Sequence, residues 1–211
     1  MFQINFGGII IMKKLVAIFM LVGLMSTGIV NAAVTLTFDE LPTQAVNGLS
    51  YNGITFGFKV GGYSSTDAVY NGIGPENLVY LDDPTLEGTT AGILTLDFDK
   101  PTDLLKFGVA LNSYYTETPA YLVKLYDSSS TLIGSFLENT SPLFRWSEGQ
   151  FIYSGAEISR VIISFNQEAA SRFALDNLTY NPTNSIPAPG AVLLGSFGMG
   201  LVNWLRRRKT L

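Results

Sequence analysis

Hydrophobic and polar residues alternate in short runs along the central part of the chain. In the run AGILTLDF (91–98), Leu94, Leu96 and Phe98 fall on the same side of the predicted strand. A period of two residues indicates a β-strand with one buried face. Similar runs, rich in β-branched and aromatic residues, predict further strands at 33–38, 53–60, 104–111, 120–127, 131–138, 150–155, 160–165 and 172–180.

Turn-forming residue pairs separate many of these runs. They are Asn47-Gly48, Asn52-Gly53, Asn71-Gly72, Asp83-Pro84 and Lys100-Pro101. No long segment of this central part has the period of an amphipathic helix. Many short strands at this spacing predict an all-β fold, namely a β-sandwich with the topology of a jelly roll.

The N-terminal segment differs from this pattern and is typical of an export signal. The basic pair Lys13-Lys14 precedes an apolar run at 15–30, and a cleavage site follows with Ala32 at its −1 position. This order predicts a secretory signal peptide at 1–32. We place the true start at Met12, because the residues before it do not fit such a signal. The alternative is an N-terminal membrane anchor.

The C-terminal segment combines a proline hinge, an apolar run and a basic end. Residues 191–205 are apolar apart from Ser196 and Asn203, and as a helix they span about 22 Å at ~1.5 Å per residue. With neighbouring residues included, this length approaches the ~30 Å hydrocarbon core of a bilayer. The basic residues at 206–209 would then stay in the cytoplasm. Residues 191–211 are therefore predicted to form a single transmembrane helix with a basic tail.

Signal peptide, single acidic domain, Pro-x-Pro hinge, short Gly-rich apolar helix and terminal Arg cluster together resemble the PEP-CTERM proteins of bacteria. The residues that carry this sorting motif are Pro187, Ala188, Pro189, Gly190, Arg206, Arg207 and Arg208. Ala188 stands where the family has Glu. The resemblance implies export by the secretion machinery, a membrane stage through the tail, and cleavage near the hinge by an exosortase-like sorting protease. The alternative is a C-terminal anchor that is never processed.

These boundaries leave a predicted β-sandwich ectodomain at 33–180 and a linker at 181–190 that contains the hinge. All 17 Asp and Glu residues lie between positions 33 and 185, together with seven of the 13 Lys and Arg residues, which gives this part a net charge of −10. Such an acidic domain argues against nucleic acid as a partner, because binding to phosphates requires clustered cations.

Cys and His are absent from the sequence, which excludes several kinds of catalysis. Ser-His-Asp and Cys-His nucleophiles and the usual zinc sites need an imidazole or a thiolate. The acid pairs Asp97/Asp99 and Asp82/Asp83 have a spacing that a glycosidase could use, but neither lies in a recognisable glycosidase motif. We therefore expect no catalytic residue in this chain.

Two segments, LTFDELP (36–42) and FALDNLTY (173–180), resemble the first and last strands of secreted jelly-roll modules, some of which bind carbohydrate. In such modules, acidic residues near these strands can hold a structural calcium ion. The resemblance implies Asp39, Glu40 and Asp176 as ligands, since Ca²⁺ prefers carboxylate and carbonyl oxygens. The alternative is that Asp39 ends a strand and that Asp176 accepts a hydrogen bond from a backbone N–H.

Aromatic residues in or near the predicted loops are candidates for stacking against sugar rings. They are Tyr63, Tyr70, Tyr114, Tyr115, Phe144 and Trp146. The segment SPLFRWSEGQF (141–151) is the candidate binding loop, with Trp146 as the aromatic contact and Arg145 beside it. The alternative is that Trp146 is part of the core.

Two hypotheses about function follow from the sequence. The first is a non-enzymatic protein that is exported from a bacterium to the cell surface or the extracellular matrix, with an ectodomain that binds glycans or calcium. The second is a secreted hydrolase that acts on polysaccharide and is tethered by an ordinary membrane anchor.

The C-terminus of the protein recovered from its own host tests the predicted sorting signal. If the tail is cleaved, mass spectrometry should find a C-terminus between Pro187 and Pro189, because the hinge is the expected cleavage site. A protein that still ends at Leu211 would identify the tail as a permanent anchor.

Overall fold

The computed structural model describes residues 32–183. Residues 1–31 of the predicted signal peptide lie outside this range, and so do the residues of the predicted sorting motif: Pro187, Ala188, Pro189, Gly190, Arg206, Arg207 and Arg208. Within the described range, no helix has the length and apolar character that crossing a membrane requires.

β-Strands make up most of the described part of the chain. In chain order they are β1 (Val34–Leu36), β2 (Gln44–Ala45), β3 (Ser50–Tyr51), β4 (Ile54–Val60), β5 (Tyr63–Ser64), β6 (Val69–Gly72), β7 (Thr85–Thr89), β8 (Gly92–Leu111), β9 (Glu117–Tyr126), β10 (Leu132–Leu143), β11 (Trp146–Phe165) and β12 (Arg172–Pro182). Paired strands run antiparallel, and residues 32–183 contain no α-helix. The predicted all-β fold is confirmed.

Two strands of 20 residues each, β8 and β11, are longer than any strand that the sequence predicts. The sequence indicated two short strands in place of each, and for β8 it predicted a turn at Lys100-Pro101. That prediction is wrong, because the chain stays extended there and the Pro101 carbonyl accepts a hydrogen bond from the N–H of Thr183 at 2.7 Å. Proline lacks a donor but keeps its acceptor, so a strand can continue where only the acceptor is used.

β8 and β11 pair with each other in both of their halves, and each half belongs to a different layer. In layer one, residues 92–98 of β8 pair with β4, and residues 160–164 of β11 lie on the other side, followed by β9 and β10. In layer two, residues 104–111 of β8 lie between the first half of β11 and β12, followed by β7, β6 and β2. β1 pairs with the end of β12.

The two layers face each other across an aromatic core. The ring of Phe173 in layer two stacks on Phe165 of layer one, with 3.8 Å between ring centroids, and lies 6.0 Å from Phe58. Phe136 and Phe151 make a further contact between the layers at 5.6 Å. Burial of such large rings is a main source of stability in a core of this size. The layers form a β-sandwich, as predicted, and the jelly-roll topology stays a prediction.

Two of the predicted turns, at Asn52-Gly53 and Asn71-Gly72, have different outcomes in the structure. Asn52 and Gly53 have φ angles of 47° and 79° and join β3 to β4 in a two-residue hairpin, which confirms the predicted turn. The pair Asn71-Gly72 is not a turn between strands but part of β6, where the pairing with β7 shifts register. An Asn with positive φ suits a bulge as well as a turn.

Gly92 and Gly57 lie in the paired strands β8 and β4 and allow a matched test of the core. A Cβ atom at Gly92 would overlap the buried ring of Phe58, whereas a Cβ atom at Gly57 would meet the Cβ of Thr95 at 3.5 Å. We expect Gly92→Ala to lower the free energy of unfolding by about 1–3 kcal/mol, because Phe58 cannot move without displacing Phe173. Gly57→Ala should change it by less than about 1 kcal/mol. Urea denaturation measures both, and equal effects would contradict this account.

Candidate functional site

An irregular segment crosses the outer face of layer two between β6 and β7, and we call it the strap (residues 74–84). Small residues on the sheet make room for it. Leu81 of the strap packs against Ala110 and Ala174. At Gly108, a Cβ atom would lie only 2.5 Å from the carbonyl oxygen of Tyr80. The strap backbone therefore rests directly on the sheet, and glycine is required beneath it.

The buried carboxylate of Glu148 on β11 holds the strap from one side. Its Oε1 and Oε2 accept hydrogen bonds from the N–H of Val79 at 3.1 and 3.2 Å, and Oε2 also accepts one from the N–H of Tyr80 at 3.1 Å. An irregular segment cannot pair its N–H groups within a sheet, so it needs such acceptors. Glu148 thus satisfies two strap donors where water has little access.

The carboxylate of Asp176 on β12 holds the strap from the other side. Its Oδ2 accepts a hydrogen bond from the N–H of Asp82 at 2.9 Å and another from the Asn177 amide at 3.1 Å, while the buried Oδ1 has no partner among the described residues. Asp176 is 1% exposed, and this burial raises its pKa to about 7, against the lowering effect of its backbone hydrogen bonds. A hydrogen bond to a backbone N–H is the alternative role that the sequence suggested for this residue.

A pocket of about 180 Å³ opens beside the strap, and both candidate residues, Arg145 and Trp146, line it. The predicted binding loop (141–151) is mostly strand, because β10 extends to Leu143 and β11 begins at Trp146. We call it the Trp146 pocket, and its lining residues are Gly74, Pro75, Glu76, Leu78, Leu143, Phe144, Arg145 and Trp146. The Phe144 ring is 86% exposed, and the Arg145 guanidinium lies 5.6 Å from its centroid. Trp146 is partly buried and also packs against the Leu81 cluster. It therefore has both roles that the sequence left open, as part of a core cluster and as pocket lining.

A polar groove of about 470 Å³ opens on the same face, and the strap residues Val79 and Tyr80 form one of its sides. We call it the Lys106 groove, and its lining residues are Thr35, Val79, Tyr80, Lys106, Gln150, Asn177 and Thr179. Sequence reasoning missed this groove. The position of Lys106 on the polar side of the predicted strand 104–111 was the available signal, but the strap that forms the wall comes from a distant part of the chain.

The predicted calcium ligands have separate hydrogen-bond partners. Glu40 accepts a hydrogen bond from the N–H of Thr37 at 2.8 Å and another from the Tyr70 hydroxyl, and Asp39 accepts one from the Thr37 hydroxyl at 2.7 Å. Asp176 is engaged with the strap. Across residues 32–183, no three His, Cys, Asp or Glu side chains are grouped closely enough to hold a metal ion. Calcium binding therefore stays a prediction that rests on sequence resemblance.

The remaining candidates are scattered over the domain. Asp97 forms an ion pair with Arg160 at 2.5 Å, and Asp83 accepts a hydrogen bond from the N–H of Glu76 at 3.0 Å. Tyr63, Tyr114 and Tyr115 are exposed, as a stacking role requires. The interpretation of Tyr70 as a loop residue is wrong, because its ring lies in the core, 5.0 Å from Phe38 between centroids.

No protein-family model matches the chain, and no curated protein does. Three of the similar solved structures are carbohydrate-binding modules. CBM4 has a TM-score of 0.38 and 16% identity over 70% of this chain and 97% of that one. The family 29 module CBM29_1 from Piromyces equi has a TM-score of 0.36 and 13% identity, over 73% and 93%. CBM28, a module specific for non-crystalline cellulose, has a TM-score of 0.34 and 13% identity, over 50% and 78%. Likeness at this level does not identify the ligand of this chain.

Asp176→Asn tests how the buried carboxyl affects stability. The folded protein raises the pKa of this group from 3.8 to about 7 and so binds the proton more tightly than the unfolded chain. Its contribution is therefore fully present below about pH 4 and is lost as pH rises towards 7. In the Asn variant this part of the pH dependence should be absent, a difference on the order of 1–3 kcal/mol between pH 4 and 8. Urea unfolding curves measured across this range would contradict the assignment if the two proteins changed in parallel.

Proposed function

We propose that this chain is a non-enzymatic, exported protein of a bacterial cell surface or extracellular matrix, and that its β-sandwich binds glycans on the outer face of layer two. The observation that carries the proposal is the Trp146 pocket. The exposed ring of Phe144, the partly buried indole of Trp146 and the guanidinium of Arg145 lie around this one pocket.

A glycan fits this combination better than a purely apolar ligand does. Sugar rings have an apolar face of C–H groups and a rim of hydroxyls, so they are bound by aromatic surfaces with a few polar groups at the edge. Phe144 and Trp146 supply the aromatic surfaces. Arg145 and Glu76 supply a donor and an acceptor at the rim.

Binding without catalysis is supported by the chemistry of the available side chains. The chain has no His and no Cys. The two buried carboxylates of this face, Glu148 and Asp176, accept hydrogen bonds from strap N–H groups. A glycosidase needs one carboxyl group to donate a proton and a second that is free to attack or to activate water. The alternative function, a membrane-anchored hydrolase of polysaccharide, would have to use other acids than these two.

The cellular part of the proposal rests on the sequence of the two ends. The chain would enter the secretion machinery through its signal peptide, pass through a membrane stage by its C-terminal helix, and meet an exosortase-like protease at Pro187-Ala188-Pro189. The order of hinge, apolar run and Arg cluster supports this route. A jelly-roll connection of the strands and a structural calcium ion are further parts of the proposal that the sequence resemblance supports.

Phe144→Ala and Trp146→Ala test glycan binding at the pocket. Affinity electrophoresis of the full chain in gels that contain soluble glucans, mannans, xylans or galactans should find at least one retarding polymer. For that polymer each variant should bind at least about tenfold more weakly, as expected for aromatic anchors. The control is Tyr63→Ala, since Tyr63 is also an exposed aromatic residue but lies on β5 of layer one.

Phe144→Ala separates a loss of binding from a loss of folding, because removing an exposed side chain should not destabilise the domain. Trp146 is partly buried, so Trp146→Ala alone would not make this distinction. Retardation that survives both substitutions would place the binding site elsewhere. Release of new reducing ends from the retarding polymer would support the hydrolase instead.

A further inference from the structure

The Lys106 groove is a second hollow on the face that carries the Trp146 pocket. Trp146 and Gln150 point to the same side of β11, with Glu148 between them, and four residues of a strand span about 13 Å. Because Glu148 binds the strap, the strap separates the two hollows. The groove is thus placed to contact a different part of a ligand bound at the pocket.

Lys106 on β8 is the cation of this groove. Register places it between Thr179 of β12 and Ile152 of β11, two neighbours without charge. Within residues 32–183, no carboxylate lies at ion-pair distance from the Lys106 ammonium. Glu148 and Asp176, the buried acids of this face, are occupied by N–H groups of the strap.

Two arginines of the domain differ from Lys106 in this respect. Arg160 and Arg172 are both paired with carboxylates, Arg160 with Asp97 at 2.5 Å and Arg172 with Asp67 and Glu87 at 3.0 Å. Lys106 instead faces a hollow that has room for an external partner.

Gln150 and Tyr80 are the other lining residues of the groove that suit an anionic sugar. The amide of Gln150 offers donors beside the ammonium. The Asn177 amide is already used, because it donates to the Tyr80 carbonyl at 3.0 Å and to Asp176 at 3.1 Å, and the hydroxyls of Thr35 and Thr179 bond each other at 2.9 Å. Tyr80, which is 37% exposed, adds an aromatic surface at the wall. A charge-assisted hydrogen bond to an anion is stronger than one between neutral groups.

We infer that the Lys106 groove binds an anionic substituent of the glycan, a uronic acid carboxylate or a sulfate ester. The inference rests on the proposed function and names the class of sugar. Non-specific attraction cannot explain such binding, because the net charge of −10 repels a polyanion at long range. A polyanion that binds this domain therefore needs a local cation.

Matched polymers test the inference on the full chain. Polygalacturonate is compared with its methyl ester, and dextran sulfate with dextran, by affinity electrophoresis or calorimetry. At least one charged member should bind about tenfold more tightly than its neutral partner. Lys106→Gln should remove that preference, and Lys106→Arg should keep most of it. The pair that shows the effect identifies the carboxylate or the sulfate as the ligand.

Lys124→Gln is the control. Lys124 is half-buried, as a matched lysine should be, but it points outward from β9 in layer one. Within residues 32–183, no carboxylate lies at ion-pair distance from it. It should leave all affinities unchanged. Thermal melting of each variant establishes that it is folded. A preference for charged polymer that is absent, or that survives Lys106→Gln, would overturn the inference. If neutral polymers still bind through Phe144 in that case, the proposed function stands without it. If no polymer binds at all, both fail.

Discussion

The antiparallel ladder between β8 and β11 is the interaction on which the rest of this domain depends. Both strands take part in both layers, so the same pair of strands fixes the position of every other strand. Between Ser154 and Arg160 the register of the ladder shifts, and the strands pass from one layer to the other there. Because side chains alternate along a strand, such a shift lets both halves direct their apolar residues to one core. Leu96 and Phe107, from the two halves of β8, are an odd number of residues apart, yet both lie in that core.

The candidate site is built from the outer face of the same ladder. Gly108 and Ala110 of β8 are small and leave room for the strap backbone. Glu148 of β11 lies opposite Ala110 in the ladder and supplies the hydrogen-bond acceptors. These residues allow an irregular segment to lie on a sheet without leaving its N–H groups unpaired. The strap therefore forms a ridge on a sheet surface that would otherwise be flat. The Trp146 pocket and the Lys106 groove both exist because of this ridge, since strap residues line each of them.

The local part of this structure could be predicted from the sequence, and the non-local part could not. The alternation at 91–98 predicted that Leu94, Leu96 and Phe98 share one face of a strand, and all three are buried, because a period of two is a local property. The continuation of β8 through Pro101 depends on Thr183, a partner far along the chain, so the sequence suggested a turn there. For the same reason the sequence could group Trp146 with its neighbour Arg145, whereas it could not predict the Lys106 groove. Its wall and its floor are brought together only when residues 74–84 cross β8.

The strap also restricts the shape of any polymer that occupies both hollows. A straight chain lying flat on the sheet would have to pass through the strap, where the backbone of Tyr80 rests on Gly108 with no space beneath it. Only a chain that bends over this ridge, or a branch point with one arm on each side, can reach Trp146 and Lys106 together. If glycans bind as we propose, the domain would therefore discriminate between polysaccharides by the flexibility and branching of their linkages, and not only by the sugars that they contain.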